Sequence, residues 1–154
     1  MRMPSRVQLA LNVTDIETAV AFYSDLFGVQ AAKRRPGYAN FEITDPPLKL
    51  VLFENPDAAS PLNHLGVELA SPADVVGAAE RFARAELDHY TADADRCCYA
   101  VQDKVWVSAS DVPLGAWEFY AVLADDQSEA EPCESDSCCV SATSVSDIST
   151  TGEV

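Results

Sequence analysis

The stretch VQLALNVTDIETAVAFYSDLFGV at residues 7–29 decides the fold, because its pattern recurs later in the chain. The later stretch is NHLGVELASPADVVGAAERFARAEL at residues 63–87, and a constant offset of 56 places Gln8 over His64. In both stretches alternating apolar residues give way to apolar residues at helical spacing. Few residues are identical, so it is the shared pattern that predicts two related modules.

A helix is expected in each module directly after its first strand. Asp15 and Ser71 precede the two helical patterns, and both are residue types that favour the N-cap. The helical spacing then runs from Ile16 to Phe27 in the first module and from Pro72 to Ala85 in the second. Each module therefore begins with a strand and a helix.

Several β-like runs follow each helix and complete the modules. In the first module they are QAAKRR, YANFEIT and LKLVLFE, separated by the turn sequences RRPG and TDPP. In the second they are LDHYTA, CCYAVQ and AWEFYAVL, with a short run VWVSA between the last two. Each module thus follows the order β-α-β-β-β. Two such modules predict an α+β fold of paired, curved mixed sheets, with the helices outside and the site in the cleft between the sheets.

The chain is expected to form one folded body and a tail. The body comprises residues 1–123, with the first module at about 5–56 and the second at about 62–123. Residues 124–154 contain eight Asp and Glu, no Lys or Arg and no aromatic residue. This composition is typical of a disordered segment.

The overall charge and hydropathy exclude several kinds of partner. A net charge of −15 argues against binding to nucleic acid or to anionic lipid. Hydrophobic residues make up 48% of the chain, which is enough for a core, but no run of 18 or more apolar residues could span a membrane. The N-terminal sequence shows no signal-peptide pattern. A cytoplasmic protein is therefore expected.

The five cysteines do not suit a disulfide framework. Their number is odd, four of them form the adjacent pairs Cys97–Cys98 and Cys138–Cys139, and the fifth is Cys133. In a reducing compartment this pattern indicates soft-metal or redox chemistry. For the three cysteines of the tail, metal capture and simple decoration of a linker both remain open.

Three polar residues on predicted strands form a candidate metal site. Gln8 and His64 begin the first strand of each module at equivalent positions, and Glu118 interrupts the apolar run AWEFYAVL. A carboxylate buried in such a strand needs a partner. Together the three offer an amide oxygen, an imidazole and a carboxylate, a variant of the two-His-one-carboxylate triad that leaves positions open on non-haem Fe(II). Each also has a simpler interpretation as a strand-edge glutamine, a structural histidine or an exposed glutamate.

Six blocks of the sequence together resemble one protein family. The blocks resemble the cadmium-induced-protein and organoarsenical C–As lyase family, which belongs to the vicinal oxygen chelate (glyoxalase–extradiol dioxygenase) superfamily. The resemblance covers about residues 5–123, nearly the whole predicted body. The blocks are SRVQLALNV, RPGYANFEI, DPPLKLVLFEN, NHLGVE, CCYAVQDKVWV and WEFY.

The resemblance implies a specific activity. It implies an Fe(II)- and O2-dependent dioxygenase that cleaves the carbon–arsenic bond of trivalent organoarsenicals such as methylarsenite, giving arsenite and formaldehyde. By the same resemblance the iron ligands are Gln8, His64 and Glu118, and the arsenic-binding vicinal thiols are Cys97 and Cys98. Trivalent arsenic is a soft, thiophilic centre, and a centre of this kind favours thiolate ligands over carboxylate ligands.

The surroundings of the thiol pair lead to further expectations. Because neighbours on a regular strand point to opposite faces, Cys97 and Cys98 are expected where DADRCC bends as a loop. The positive charges of Arg96 and Lys104 would favour the thiolate forms of the two cysteines, or they are ordinary surface charges. Tyr99 and Lys104 are candidate catalytic residues lining the cavity, although a strand tyrosine also serves in packing. Five hydrophobic residues are expected to shield the site from water: Phe41, Leu50, Leu52, Trp106 and Phe119.

Other functions and arrangements remain open. A protein that sequesters cadmium or arsenite without turnover would use the same thiols, but it needs no hard-ligand triad. A glyoxalase-like isomerase does not explain the thiols. Cys133, Cys138 and Cys139 are candidates for collecting arsenic on the tail and passing it to the site. The superfamily resemblance also allows a homodimer.

Overall fold

The computed structural model describes residues 4–97, except for the side chain of Cys97, and residues 99–125. The two modules each have the expected order β-α-β-β-β, and the predicted α+β fold is confirmed. In these residues no helix is both long and apolar enough to span a bilayer. The elements are β1 Arg6–Val13, α1 Ile16–Phe27, β2 Lys33–Arg35, β3 Tyr38–Thr44, β4 Pro47–Glu54, β5 Leu62–Glu68, α2 Pro72–Arg84, β6 Asp88–Cys97, β7 Ala100–Ser108 and β8 Trp117–Asp125.

Both helices begin where the N-cap residues predicted. The Asp15 carboxylate accepts a hydrogen bond from the Thr18 amide at 2.7 Å, and α1 starts at the next residue. Ser71 precedes α2 but does not cap it with its side chain. Its hydroxyl donates to the Asp74 carboxylate at 2.8 Å instead. The helix α2 ends at Arg84, one residue earlier than predicted.

The strands of the second module differ from the prediction at the cysteine pair. The runs CCYAVQ and VWVSA do not form separate strands, because β7 is continuous from Ala100 to Ser108. The loop expected at DADRCC is also wrong, since β6 continues to Cys97 in an antiparallel ladder with β7. A register shift between Ala92 and Asp95 accommodates one extra residue of β6. Pairing with β7 therefore overrides the turn-like composition of DADR.

The eight strands form a single sheet in the order β2-β3-β4-β1-β5-β8-β7-β6. The modules meet edge to edge through the antiparallel pair β1–β5, so the two expected sheets are one continuous curved sheet. The helices cover one face, where α1 packs on Phe41, Leu50 and Leu52 and α2 packs beside Phe119. These four residues were expected to shield the site, but strand alternation places them on the helix side.

The register between the modules has two-fold character. In the β1–β5 pair, Gln8 lies opposite Gly66 and Ala10 lies opposite His64. The offset of 56 that relates Gln8 to His64 also relates Ala10 to Gly66, so each of these pairs maps onto the other. The pairing therefore brings the two equivalent polar residues to the same region of the open face.

The last strand extends slightly beyond the predicted body. The strand β8 runs to Asp125, two residues past the expected end at 123. The remainder of the proposed tail, residues 126–154, lies outside the described residues, as do its cysteines at 133, 138 and 139.

Candidate metal centre and substrate pocket

Three side chains from three different strands meet on the open face of the sheet. Gln8 comes from β1, His64 from β5 and Glu118 from β8, and they are 5%, 6% and 3% exposed. Gln8 Nε2 lies 2.9 Å from His64 Nε2 and 3.3 Å from Glu118 Oε2. His64 Nε2 lies 3.1 Å from Glu118 Oε2. The structure thus brings together the three residues that the sequence singled out.

A glycine and an alanine make room for this cluster. A Cβ atom on Gly66 would lie 2.8 Å from the Glu118 carbonyl oxygen and 3.4 Å from Gln8 Nε2. Ala10, which is opposite His64, is fully buried. Two larger residues at these positions would push the three polar side chains apart.

A relay of side-chain amides fixes the proton of His64. The Ser60 carbonyl can only accept, and it accepts from Asn12 Nδ2 at 2.9 Å. Asn12 Oδ1 then accepts from Asn63 Nδ2 at 3.0 Å. Asn63 Oδ1 is left facing His64 Nδ1 at 2.7 Å, and it accepts the ring N–H. In neutral His64 the lone pair therefore lies on Nε2, toward Gln8 and Glu118.

A β-bulge makes this relay possible. Neighbours on a regular strand point to opposite faces, so Asn63 and His64 should not meet. The β1–β5 register shifts between Ala10 and Leu11, which pair with His64 and Leu62 respectively. Asn63 is the extra residue of the bulge, and its side chain turns toward the histidine.

The donor set fits a divalent metal ion. The lone pair of His64 Nε2 faces an oxygen of the Glu118 carboxylate, and these two acceptors attract each other only across a proton or a cation. Three mutually cis ligands at about 2.1 Å from a metal are separated by about 3 Å, close to the spacings between the three side chains. Only the Gln8 amide has to turn, because its nitrogen and not its oxygen faces the other two residues.

The glutamine is essential to any such site. Within residues 4–97 and 99–125, no three His, Cys, Asp or Glu side chains cluster in a way that could hold a metal ion. A metal centre with three protein donors at this cluster would therefore include the Gln8 amide oxygen.

Two buried polar residues flank the carboxylate. Lys104 is 1% exposed, and its Nζ forms ion pairs with Glu118 Oε1 at 2.9 Å and with Asp95 Oδ2 at 3.2 Å. Lys104 was also expected near the thiols, but the thiol side chains lie outside the described residues. Burial, with the negative charges of Glu68 and Glu118, raises the pKa of Tyr120 well above its ordinary value. The Tyr120 hydroxyl therefore stays protonated and can donate a hydrogen bond.

A cavity of about 240 Å³ opens beside the three donors. Beyond the donors its wall includes Lys33, Asn40, Val51 and Ala100. Asn40 is 5% exposed, its Nδ2 donates to the Tyr38 hydroxyl at 2.9 Å, and its Oδ1 has no hydrogen-bond partner among the described residues. The cavity thus combines a polar acceptor with apolar wall, as small-molecule sites do.

The sequence and fold match known proteins. Residues 6–96 match the Glyoxalase/Bleomycin resistance protein/Dioxygenase superfamily. The chain belongs to that superfamily. It is 55% identical over 124 residues to the cadmium-induced protein CadI of Mycobacterium tuberculosis (strain ATCC 25618 / H37Rv), covering 80% of each chain. It is 50% identical over 137 residues to the trivalent organoarsenical cleaving enzyme of Thermomonospora curvata, covering 88% of each chain. The predicted family resemblance is confirmed.

Solved structures of other proteins share the fold at low sequence identity. Homoprotocatechuate 2,3-dioxygenase from Brevibacterium fuscum superposes with a TM-score of 0.54 and 20% identity, over 80% of this chain and 38% of that chain. Methylmalonyl-CoA epimerase from Streptomyces coelicolor superposes with a TM-score of 0.53 and 12% identity, over 80% of this chain and the whole of that chain. At these identities the likeness shows the fold alone.

The internal symmetry of the two modules relates Glu118 to an apolar residue of the first module. Val51 lies opposite Ala10 in the β1–β4 pair, and Glu118 lies opposite Gly66 in the β5–β8 pair. Because Ala10 and Gly66 are equivalent, Val51 takes the place in the first module that Glu118 takes in the second. Val51 is 4% exposed and offers no donor atom. The two-fold arrangement therefore places three polar side chains and one apolar side chain, Val51, beside the cavity.

The hairpin that carries the predicted thiols ends at the cavity. The last residue of β6, Cys97, pairs with Ala100, which lines the cavity. Tyr99 has a positive φ of 61°, and its ring packs on Tyr38 at 5.0 Å between centroids. Lys33 Nζ donates to the Tyr99 carbonyl at 3.0 Å. Residues of the first module therefore hold the tip of this hairpin, while Cys98 and the Cys97 side chain lie outside the described part.

Proposed function

We propose that the chain is an Fe(II)- and O2-dependent dioxygenase that cleaves the carbon–arsenic bond of trivalent organoarsenicals such as methylarsenite. The observation that carries the proposal is the meeting of Gln8, His64 and Glu118 beside a cavity whose wall includes the end of the Cys97–Ala100 hairpin. The relative in Thermomonospora curvata is named a trivalent organoarsenical cleaving enzyme, and the chain covers 88% of it.

The three donors would hold the metal through Gln8 Oε1, His64 Nε2 and a carboxylate oxygen of Glu118. When bound, Fe(II) would supply open coordination positions and one-electron chemistry toward O2, as it does in the two-His-one-carboxylate sites of which this donor set is a variant. His64 keeps its lone pair on Nε2 because Asn63 accepts the proton of Nδ1. Lys104 forms an ion pair with Glu118 Oε1, and the other carboxylate oxygen, Oε2, faces Gln8 and His64.

The thiols Cys97 and Cys98 would hold the arsenic. A monomethyl trivalent arsenical has two exchangeable positions, and two thiolates fill both, which leaves the carbon–arsenic bond intact and presented to the cavity. The half-buried Lys33 and the buried Tyr38 fix the backbone and ring of Tyr99, the residue after the pair. A thiol site anchored in this way holds its substrate in one place relative to the metal centre.

The proposed reaction balances without a further reductant. Methylarsenite and one O2 give arsenite and formaldehyde with all hydrogen, carbon, arsenic and oxygen atoms accounted for. The methyl carbon is oxidised, both oxygen atoms are reduced, and arsenic stays trivalent. The reaction needs free thiolates, so a reducing cytoplasm is the compartment that we propose.

A second candidate is a cadmium- or arsenite-binding protein without turnover. The name of the Mycobacterium relative, a cadmium-induced protein, favours this candidate. It predicts stoichiometric binding of arsenite and Cd(II) at Cys97 and Cys98 and no chemical change of methylarsenite. It leaves the three buried donors of the open face without a role.

One assay separates the two candidates. The protein is loaded with Fe(II) under anaerobic conditions, mixed with methylarsenite, and divided between anaerobic and O2-containing buffer, and inorganic arsenite is measured. The proposal predicts multiple turnovers with O2 and none without it. Cys97→Ser and Cys98→Ser should abolish methylarsenite binding and spare Fe(II) binding, and His64→Ala should do the reverse. If arsenite is never released, or if both sets of variants lose the same function, the proposed enzyme is wrong.

A further inference from the structure

The Gln8 amide has the wrong atom turned toward its proposed metal. Its Nε2 lies 2.9 Å from His64 Nε2 and 3.3 Å from Glu118 Oε2, and its Oε1 accepts a hydrogen bond from the Tyr120 hydroxyl. An amide nitrogen has no available lone pair, so only Oε1 can ligate a cation. A half turn of the terminal amide exchanges the two atoms within the same space.

The turned amide presents a new requirement at Tyr120. Nε2 would now face the Tyr120 hydroxyl, which must accept its hydrogen bond. A tyrosine hydroxyl can accept one bond and donate another, provided that its own proton has a second acceptor. Glu68 Oε2 lies 3.2 Å from the Tyr120 hydroxyl and can only accept while it is ionised.

Two basic residues hold the Glu68 carboxylate near Tyr120. Its Oε1 accepts from Arg6 at 2.6 Å, and its Oε2 lies 3.6 Å from Lys49 Nζ. Tyr120 is 2% exposed, so no bulk water replaces these partners.

We propose that Tyr120 and Glu68 are positioning residues that hold the Gln8 oxygen toward the metal. In the metal-free protein the Tyr120 hydroxyl donates its hydrogen bond to Gln8 Oε1. When a metal binds, the Gln8 amide turns and the Tyr120 oxygen accepts a hydrogen bond from Nε2. The Tyr120 O–H then turns to donate its hydrogen bond to Glu68. Neither residue touches the metal. The inference rests on the proposed metal centre.

A matched pair of variants isolates the acceptor at position 68. Both are made with Arg6→Met and Lys49→Met, so that neither neighbouring cation competes for the new side chain, and they carry either Glu68→Gln or Glu68→Met. Both lose the same charges, but only the first keeps an oxygen that can accept the Tyr120 proton. Titration with Co(II) should give affinity about tenfold to a hundredfold weaker for the methionine variant.

Repeating the pair with Gln8→Glu supplies the control. A carboxylate offers oxygen at both ends, so its orientation no longer depends on Tyr120. The difference in Co(II) affinity between the two position-68 variants should then disappear. A merely structural effect of Glu68→Met would persist in this background and would overturn the inference.

A measurement on the unaltered protein covers the case in which Glu68→Met does not fold. Nuclear Overhauser contacts of the Gln8 side-chain amide protons are recorded before and after addition of Zn(II). They should move from the His64 ring to the Tyr120 ring. If the amide protons remain at His64 with Zn(II) bound, or if the two variants bind Co(II) equally, the inference alone fails. If the unaltered protein binds neither ion, the proposed metal centre fails as well.

Discussion

Gln8 and His64 lie 56 residues apart in the chain, and their Nε2 atoms lie 2.9 Å apart in the folded protein. The β1–β5 register produces this contact, because it places Gln8 opposite Gly66 and His64 opposite Ala10. Each module thus contributes one donor from the same position of its first strand. The small residues opposite the donors are what allow the two side chains to share one space.

Gly66→Ala should disrupt the centre although it adds only one methyl group. Its Cβ would lie 2.8 Å from the Glu118 carbonyl oxygen, so β8 or β5 must shift. Overpacking of this kind costs about 1–3 kcal/mol, and the shift should also weaken Co(II) binding. Urea unfolding and Co(II) titration measure the two effects.

Gly77→Ala is the matched control for that experiment. Gly77 lies in α2, and a Cβ there meets nothing within 4 Å. Replacing a helical glycine with alanine should stabilise the protein by about 0.5–1 kcal/mol and leave Co(II) binding unchanged. Equal effects of the two substitutions would show that packing around Gly66 does not support the centre.

Lys104→Met should destabilise the metal-free protein more than the metal-bound protein. Glu118 would lose its buried cation, and breaking such a pair costs about 3–5 kcal/mol. A bound divalent ion would replace the lost charge, so the stabilisation by Co(II) should be larger than in the unaltered protein. Thermal unfolding with and without Co(II) tests this prediction.

The exposed pair Arg34–Glu17 provides a comparison for Lys104. Arg34→Met should change stability by at most about 1 kcal/mol, because surface ion pairs contribute little. Co(II) should stabilise Arg34→Met against unfolding by the same amount as it stabilises the unaltered protein. If Lys104→Met responded to Co(II) no more than Arg34→Met, Glu118 would not be a metal ligand.

Val51→Glu should close the position that the internal symmetry leaves open. The new carboxylate would stand where Glu118 stands in the other module, so Co(II) should bind more tightly. Turnover of methylarsenite should fall toward background, because a fourth protein ligand occupies a position needed for reaction. Val51→Met, similarly buried but with only a weakly donating thioether, should change metal affinity little. Retention of full turnover by Val51→Glu would contradict the symmetry argument.

Asn63→Leu should weaken metal binding without removing a ligand. His64 Nδ1 would lose its acceptor, and the ring would no longer be held with its lone pair on Nε2. Loss of such a partner typically costs about tenfold to a hundredfold in metal affinity. Asn63→Asp keeps an acceptor and should retain affinity. The ¹⁵N chemical shifts of the His64 ring provide an independent check, since the unaltered protein should show Nδ1 protonated.

Much of the fold could be predicted from local pattern. The repeat around Gln8 and His64 gave the two modules, and Asp15 and Ser71 marked the helix starts. Alternation also placed Gln8, His64 and Glu118 on strand faces that could meet. These features depend on residues close together in sequence, or on a repeat that makes distant residues equivalent.

The remaining features depend on pairing between distant strands. The long β6–β7 hairpin could not be predicted, because DADR has the composition of a loop and gains its strand character only from pairing with β7. The relay through Asn63 depends on a bulge that no local pattern marks. Tyr120 and Glu68 follow Glu118 and His64 at even spacings on their strands, so alternation could have identified their face but not their contact.

The most direct test of the central claim is the dependence of arsenite release on added Fe(II). Metal-free protein is titrated with Fe(II) under anaerobic conditions, then given methylarsenite and O2, and arsenite is measured at each ratio. The proposed iron centre predicts no arsenite release without iron and a release that increases with Fe(II) and saturates near one Fe(II) per chain. The same titration with His64→Ala should stay flat. Full release from metal-free protein, or an unchanged curve for His64→Ala, would contradict the account.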